Sequence, residues 1–335
     1  MYSSFKNHQL ITESWRKFLV EAETSSIVSH NIQFLKDNMD KILRDSEFDA
    51  DLQIALKKTE PEQIVSKLPS LKNNKIKSIA GTGKKGIVFN LDNSHVLKLY
   101  IGSFMIGQKP EDFYKKSKDM AFSGQATRNT LPIYDSGKVI FDYMLRRKGM
   151  DGNYHDLRDR ALVSYVEMAK LDIVDKVFGF VDEASEIEFD DTLNKIINTV
   201  YFYLISTPNE IINTGMSRKD YYLYVSYDTE EFNSPDKFFD LVKSSRTFWD
   251  KKNNRNVYVY EPNYTYLKDL LEDNLESGTS IPKKYLKIYV NNLFEMLEDY
   301  ISVNGLNSSV DLLSRNIGID PTSRPSDPKF IYFDP

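Results

Sequence analysis

The sequence predicts an α+β protein: a helical N-terminal unit, then a small antiparallel β unit, then a mainly helical remainder. Three observations predict it. Apolar residues recur at spacings of three and four through residues 9–70, three short runs rich in branched residues follow between 76 and 100, and helical periodicity returns after 150. The boundaries read from these changes are 1–75, 76–148 and 149–335. At roughly one domain per 150 residues, a chain of 335 residues holds two folded units with sizeable cores.

Leu10, Ile11, Trp15, Phe18 and Leu19 form one amphipathic stripe, and Ile32, Leu35, Met39, Ile42 and Leu43 a second, with Thr24-Ser25-Ser26 between them. A third helix is expected over Phe48–Lys58. Thr59-Glu-Pro-Glu62 reads as a capping box that opens a fourth, ending near Leu68-Pro69. Ile76–Ala80, Ile87–Leu91 and Val96–Tyr100 read as a β-meander, with the turn tripeptide Asp92-Asn93-Ser94 before the last strand. A helix over 110–122 follows, then strands at Leu131–Tyr134 and Lys138–Met144 joined by a turn at Asp135–Gly137. Beyond Asp151, helices are expected over 156–172, 188–205, 235–249, 263–275 and 282–303, with strands at Tyr221–Tyr227 and Val257–Tyr260. The helix at 282–303 has Pro282 near its start and Gly305 just past its end. Ile317–Ile319 and Phe330–Phe333 are short apolar runs joined by a Pro-rich loop.

Composition excludes several chemistries. With no cysteine there is no disulfide framework, thiolate zinc site, iron–sulfur cluster or cysteine nucleophile. The four histidines, His8, His30, His95 and His155, form no His-x-x-x-His pair, which argues against a histidine-built metal site or a Ser-His-Asp triad. Lys and Arg number 44 against 49 Asp and Glu, a net charge of −5 with both signs interleaved, and this is not the cationic surplus of a nucleic-acid binder. No signal-like segment opens the chain and no apolar run nears the ~18 residues of a membrane span, so a cytosolic protein without membrane or nucleic-acid partners is expected. The 21 Tyr and 20 Phe are a surplus that composition does not explain.

Gly81-Thr-Gly83-Lys-Lys-Gly86 fits G-x-G-x-x-G, whose meaning depends on its flanks. A Walker A loop would end in Gly-Lys-Ser/Thr, but Ile87-Val88 follows here. A dinucleotide fingerprint would run straight into a helix, yet the sequence continues as a strand, a turn and a second strand. The order strand, glycine loop, strand, turn, lysine-bearing strand is that of a hairpin folded over nucleotide phosphates. The lysine is Lys98, in His95-Val-Leu-Lys98. A lysine there requires an anionic partner or a place on the rim.

In these residues the sequence resembles the protein-kinase-like fold, including small phage-encoded Ser/Thr kinases and aminoglycoside-type phosphotransferases. Gly81-x-Gly83-x-x-Gly86-x-Val88 is similar to the family's glycine loop, and Lys98 to the lysine that grips the α- and β-phosphates. Asp311-Leu-Leu-Ser-Arg-Asn316 follows the clearest helix as the family's catalytic loop does, and Phe330-Ile-Tyr-Phe-Asp334 resembles the strand that delivers the metal-binding aspartate. The resemblance covers residues 76–148 and 282–335 and implies a bilobal fold. It also implies ATP and Mg²⁺ as cofactors, Asp311 orienting the substrate hydroxyl, and Asn316 and Asp334 holding the metal. Val88 and Val96 would line the adenine, with a hinge near Met144. An acid on the helix after the third strand would pair with Lys98: Asp119, with Glu111 as the rival.

The departures are specific. Ser309-Val310 stands where the family has His-Arg, Leu313 stands two residues after Asp311 in a position often basic, and Arg315 is a possible substitute for that charge. The segment 150–280 is expected to build the rest of the helical lobe. The leading functional expectation is a protein Ser/Thr kinase acting on a host or phage protein. The alternatives are a pseudokinase serving as a structural or virion assembly component, a nucleotidyl transferase and a small-molecule kinase. Leu10–Leu19 is similar to N-terminal stretches of some tailed-phage proteins.

Overall fold

The apolar stripe around Leu35 lies on helix α1, described over residues 24–41, so Thr24–Ser26 lie in a helix and not in a break before it. Then come α2 (Ala50–Lys58), α3 (Pro61–Lys67) and α4 (Pro69–Asn73). The expected capping box does not form. Pro61 sets the start of α3 so that Glu60, not Thr59, takes the N-cap position, and it makes no side-chain cap; Thr59 Oγ1 is buried without a hydrogen-bond partner among the described residues. The structure, a computed structural model, describes residues 24–41, 43, 50–83, 86–101, 110–148, 153–205, 240–304 and 313–333. The stripe at Leu10–Leu19, the strand expected at Tyr221–Tyr227 and Gly305 lie outside them.

The chain divides into two units: Met1–Gln125 with Leu131–Lys170, and Ala126–Thr130 with Leu171–Pro335. The first is α+β, built on a five-stranded antiparallel sheet in the order β1-β2-β3-β5-β4. Its strands are β1 (Ile76–Gly83), β2 (Gly86–Leu91), β3 (His95–Tyr100), β4 (Ile133–Lys148) and β5 (Tyr154–Ala169), and helix α5 (Pro110–Ser123) falls between β3 and β4. Ser94, at φ 63°, closes the turn between β2 and β3. One sheet face carries Ile87, Phe89, Leu97, Leu99, Phe141 and Val163 and packs with Leu35, Leu52, Leu56, Ile64 and Leu71 of the helices. The buried Asn31 fixes α1 to that sheet. Its amide donates to the carbonyls of Leu71 (2.7 Å) and Asn74 (2.8 Å) and accepts the Ile76 N–H (2.8 Å), leaving no buried polar atom unmatched.

Two segments expected to be helical are strands. Residues 156–172 fall largely in β5, which pairs with β3 on one side and with β4 on the other. Val163 and Tyr165 are buried on one of its faces and Ser164, Val166 and Met168 on the other, so the alternation that marks a half-exposed strand is absent. The two strands expected at 131–144 are the single strand β4: Asp135–Gly137, expected as a turn, pair with Glu167–Tyr165, and the irregularity is a bulge just before them, between Ile133 and Asp135. The sheet therefore runs past residue 148 and ends near 169.

Glu167, near the end of β5, is buried. It accepts the His95 Nδ1–H at 2.6 Å and the Asn93 side-chain amide at 3.1 Å, and His95 stacks on Tyr134 at 3.6 Å between ring centroids. Burial pushes the Glu167 carboxyl up, and the hydrogen bonds led by His95 outweigh it, holding it below the ordinary range. A lowered carboxyl adds stability above its ordinary pKa and loses it as pH falls through the folded value. Glu167→Gln is therefore expected to cost about 1–3 kcal/mol at pH 7 in urea unfolding, and the difference from wild type should close on acidification below about pH 4.

The second unit contains β6 (Asp172–Ile173), α6 (Val174–Phe178), α7 (Glu183–Ile205), the hairpin β7 (Val242–Asp250) and β8 (Arg255–Pro262), α8 (Tyr264–Gly278), α9 (Lys283–Asn304), β9 (Ile317–Ile319) and β10 (Phe330–Tyr332). β7 occupies much of the segment expected as a helix at 235–249. Its residues pair with β8 around the turn Lys251–Asn254, where Asn254 takes a φ of 52°. The three-stranded sheet β10-β9-β6 joins the segment after 171 to the end of the chain. Phe178, Phe180, Phe189, Tyr289 and Phe330 pack ring to ring with centroids 5.5–6.1 Å apart, an arrangement that draws on α6, α7, α9 and β10 together. Among the described residues no helix is long and apolar enough to cross a membrane.

Candidate functional site

The sheet face opposite the helices carries the residues singled out in the sequence. β1 and β2 pair through Gly83↔Gly86 and Gly81↔Val88, so the glycines flank the hairpin end, with residues 84–85 outside the described ones. Their reasons for being glycine differ. A Cβ at Gly86 would lie 2.1 Å from the Leu99 carbonyl oxygen, so this glycine is required where β2 crosses close to β3. A Cβ at Gly81 would meet nothing within 4 Å, and packing among the described residues gives no reason for glycine there.

Val88, Lys98 and Val166 lie on successive strands at one rung, and Val96 and Met168 at the next rung on the same face. Lys98 is 6% exposed, Val96 and Met168 are buried, and Val88 is half-buried. α5 brings Tyr114 to the lysine: Lys98 Nζ donates to Tyr114 Oη at 3.4 Å, and the ammonium stands 6.0 Å from the centre of the ring. Tyr114 is itself 1% exposed and held edge-on by Tyr100 and Phe113, at 5.9 and 5.5 Å.

Asp119 does not take the place expected of it. Five residues from Tyr114 is about 140° around a helix of 3.6 residues per turn, and the Asp119 side chain is exposed while Phe113, Tyr114 and Ser117 are buried. The Glu111 side chain lies outside the described residues. Met144 is also displaced. It pairs with Arg158, eight residues along β5 from Val166 and so about 26 Å away, and is 53% exposed. The hinge expected near Met144 follows from reading 156–172 as a helix; the sheet instead continues through β5 to Ala169. The sequence pattern does not point to Tyr114, Val166 or Met168; the signal for the first is the aromatic pair Phe113-Tyr114 in an otherwise lysine-rich helix.

In the second unit, Asn316 closes a 3₁₀ turn (Ser314–Asn316) leading into β9 and is buried. Its carbonyl accepts the Phe333 N–H at 3.1 Å, and β9 pairs with β10 through Ile317↔Tyr332 and Ile319↔Phe330. This brings Asn316 beside Phe333, the residue that follows β10. Asp311 and Asp334 lie outside the described residues, and among the described ones no group of three or more His, Asp or Glu is placed to hold a metal. The Asn316 amide oxygen is a hard donor of the type Mg²⁺ takes. Arg315, the substitute charge, is exposed.

α7 holds the turn. Asp190 Oδ1 accepts the Ser314 N–H at 2.6 Å and Glu186 accepts the Ser314 hydroxyl at 3.2 Å. Burial raises the Asp190 carboxyl above its usual range, with the Glu186 charge adding to it against the Ser314 bonds. A raised carboxyl costs stability as pH climbs through its titration. Asp190→Asn, which keeps the oxygen that accepts from Ser314, is expected to raise the melting temperature at pH 7 and to leave it unchanged near pH 3. At the other end of the loop, Arg128 clasps Asp327 and its carbonyl, and Asn292 donates to Asp327 Oδ1 at 3.0 Å and the Pro328 carbonyl at 2.8 Å.

No protein-family model matches the chain, and no curated protein is similar to it.

Proposed function

We propose that the chain is an ATP- and Mg²⁺-dependent phosphotransferase of the protein-kinase-like fold, with two lobes, acting on a protein hydroxyl. The observation that carries this reading is Lys98: a buried lysine in the middle of a small antiparallel sheet, on the strand next to a glycine hairpin and in contact with the helix that follows its own strand. Among protein kinases the lysine occupies the third strand and is met by that helix. The Gly81–Gly86 backbone would cover the phosphates, Lys98 would neutralise them, Val88 and Val96 would contact the adenine, and Asn316 with Asp334 would hold Mg²⁺. The substrate oxygen attacks the γ-phosphorus, the bond from that phosphorus to the β–γ bridging oxygen breaks, ADP departs, and Asp311 takes the hydroxyl proton. Val166 and Met168 extend the apolar surface beside the lysine.

A second reading, nucleotide binding without transfer, is favoured by Ser309-Val310 and Leu313, which stand where the family's catalytic loop carries His-Arg and often a basic residue. One experiment separates the two. Purified protein is melted with and without ATP and Mg²⁺, then incubated with γ-labelled ATP and candidate protein substrates. Stabilisation with label transfer supports the enzyme, stabilisation without transfer supports the binding protein, and neither result overturns both.

A further inference from the structure

β4 and β5 form a hairpin longer than the sheet it belongs to. β3 pairs with β5 only over Ser164–Ala169, so residues 154–163 of β5 have β4 on one side and, among the described residues, no strand on the other. The direction of the backbone along that edge can be read from its ends. The Ala169 N–H goes to the Pro132 carbonyl on the β4 side and the Lys170 N–H to the Ser94 carbonyl on the β3 side. On β4, the Ile140 carbonyl takes the Lys67 ammonium and the Asp142 N–H reaches Gln63, both on the outer side, and these residues stand opposite Leu162 and Arg160. Tyr154, Asp156 and Arg158 therefore aim their N–H and C=O groups along this edge, and Arg160 does so with its carbonyl, its N–H being turned to Asp159 Oδ1 at 2.9 Å.

The side chains of that stretch are exposed, Tyr154 at 63% and Leu157 at 48%. An edge of this length is normally blunted by charge. Here the order of the charges does more than blunt it. Laid antiparallel against a second copy of itself about Leu157, Tyr154-His-Asp-Leu-Arg-Asp-Arg160 sets Tyr154 against Arg160, His155 against Asp159, Asp156 against Arg158 and Leu157 against itself. Every charged residue meets an opposite charge, an aromatic ring or an imidazole. Moving the axis to Asp156 or to Arg158 sets like charges face to face. Any register that pairs even with odd residues sets edge-facing backbone groups against groups that face β4. Arg158, 3.4 Å from Asp142 with 74% of its side chain exposed, retains room for a second carboxylate.

We infer that the protein self-associates about a two-fold axis at Leu157, pairing the β5 edges of two copies antiparallel over residues 154–160. The occupant of this edge is a second copy because the complementarity is to the chain's own sequence. The pairing is independent of the phosphotransferase reading.

The test uses the full chain in sedimentation equilibrium up to about 0.5 mM, where a small interface populates a dimer. Wild type is expected to dimerise. Asp156→Arg and Arg158→Asp are each expected to weaken the dimer by about tenfold or more. The two variants mixed in equal amounts should associate as wild type does, since each supplies the charges the other lacks, and the double variant should recover the dimer as well. The same melting temperature for all forms shows that folding is intact. A monomeric wild type overturns the inference, as does a dimer indifferent to either reversal or a mixture that fails to associate.

Discussion

Lys98→Met is expected to leave the protein folded and to remove its response to nucleotide. For wild type, ATP with Mg²⁺ at about a hundred times its dissociation constant adds about 2.7 kcal/mol, which is about 5–10 °C in melting temperature for a unit of this size. The variant should show none of this shift, and phosphate transfer should fall by roughly 10²–10³. Methionine matches the lysine stem in length and fills the same place beside Val166 and Met168, so the fold is expected to be kept, read as a cooperative melting transition. The Tyr114 hydroxyl loses one hydrogen bond, a cost of about 1 kcal/mol. Tyr114→Phe separates positioning from charge. It keeps the ring against Tyr100 and Phe113 and removes only the oxygen that meets Lys98 Nζ. A rise of about threefold to tenfold in the Michaelis constant for ATP, with turnover little changed, is the expected result for a residue that orients the lysine before the nucleotide arrives. A melting-temperature change alone, with unchanged kinetics, would mark Tyr114 as purely structural.

The parts of the fold legible in the sequence are those where local chemistry and periodicity agree. β1 to β3 announce themselves through branched residues, a glycine hairpin and an Asp-Asn-Ser turn, and α9 through its apolar stripe and Pro282 at its start. β5 was illegible for a physical reason. Flanked by β3 and β4 and buried on both faces at Val163, Ser164, Tyr165 and Val166, it shows no period of two, and its apolar residues fit a helical spacing equally well. With 156–172 taken as a helix, the last strand of the sheet falls at 138–144 and the hinge with it, near Met144. Tyr114 is illegible because charge logic looks for a carboxylate beside a lysine and gives no signal for a neutral hydroxyl fixed by aromatic packing. The aromatic surplus, unexplained by composition, finds a use in the second unit. Phe178, Phe180, Phe189, Tyr289 and Phe330 come from segments over 150 residues apart, and their meeting depends on the tertiary fold.

Two glycines of one motif are expected to respond to the same substitution in opposite ways. Gly86→Ala places a methyl group 2.1 Å from the Leu99 carbonyl and 3.0 Å from the Tyr100 Cβ, and neither neighbour is the free end of a flexible side chain. β2 or β3 has to move, and the rung that carries Val88 and Lys98 moves with it. A loss of about 3 kcal/mol or more is expected, read as a fall of about 6 °C or more in melting temperature. Gly81→Ala meets no atom within 4 Å and should change stability by less than about 0.5 kcal/mol. If the hairpin covers phosphates, the methyl group at 81 occupies ground that a ligand needs, and the ATP-dependent rise in melting temperature should shrink although the protein without nucleotide melts as before. An unchanged ATP response in Gly81→Ala, beside a full response in wild type, would mean that nucleotide binds without close approach to this strand. The motif would then owe Gly86 to the β2–β3 crossing, and Gly81 would have no role in binding.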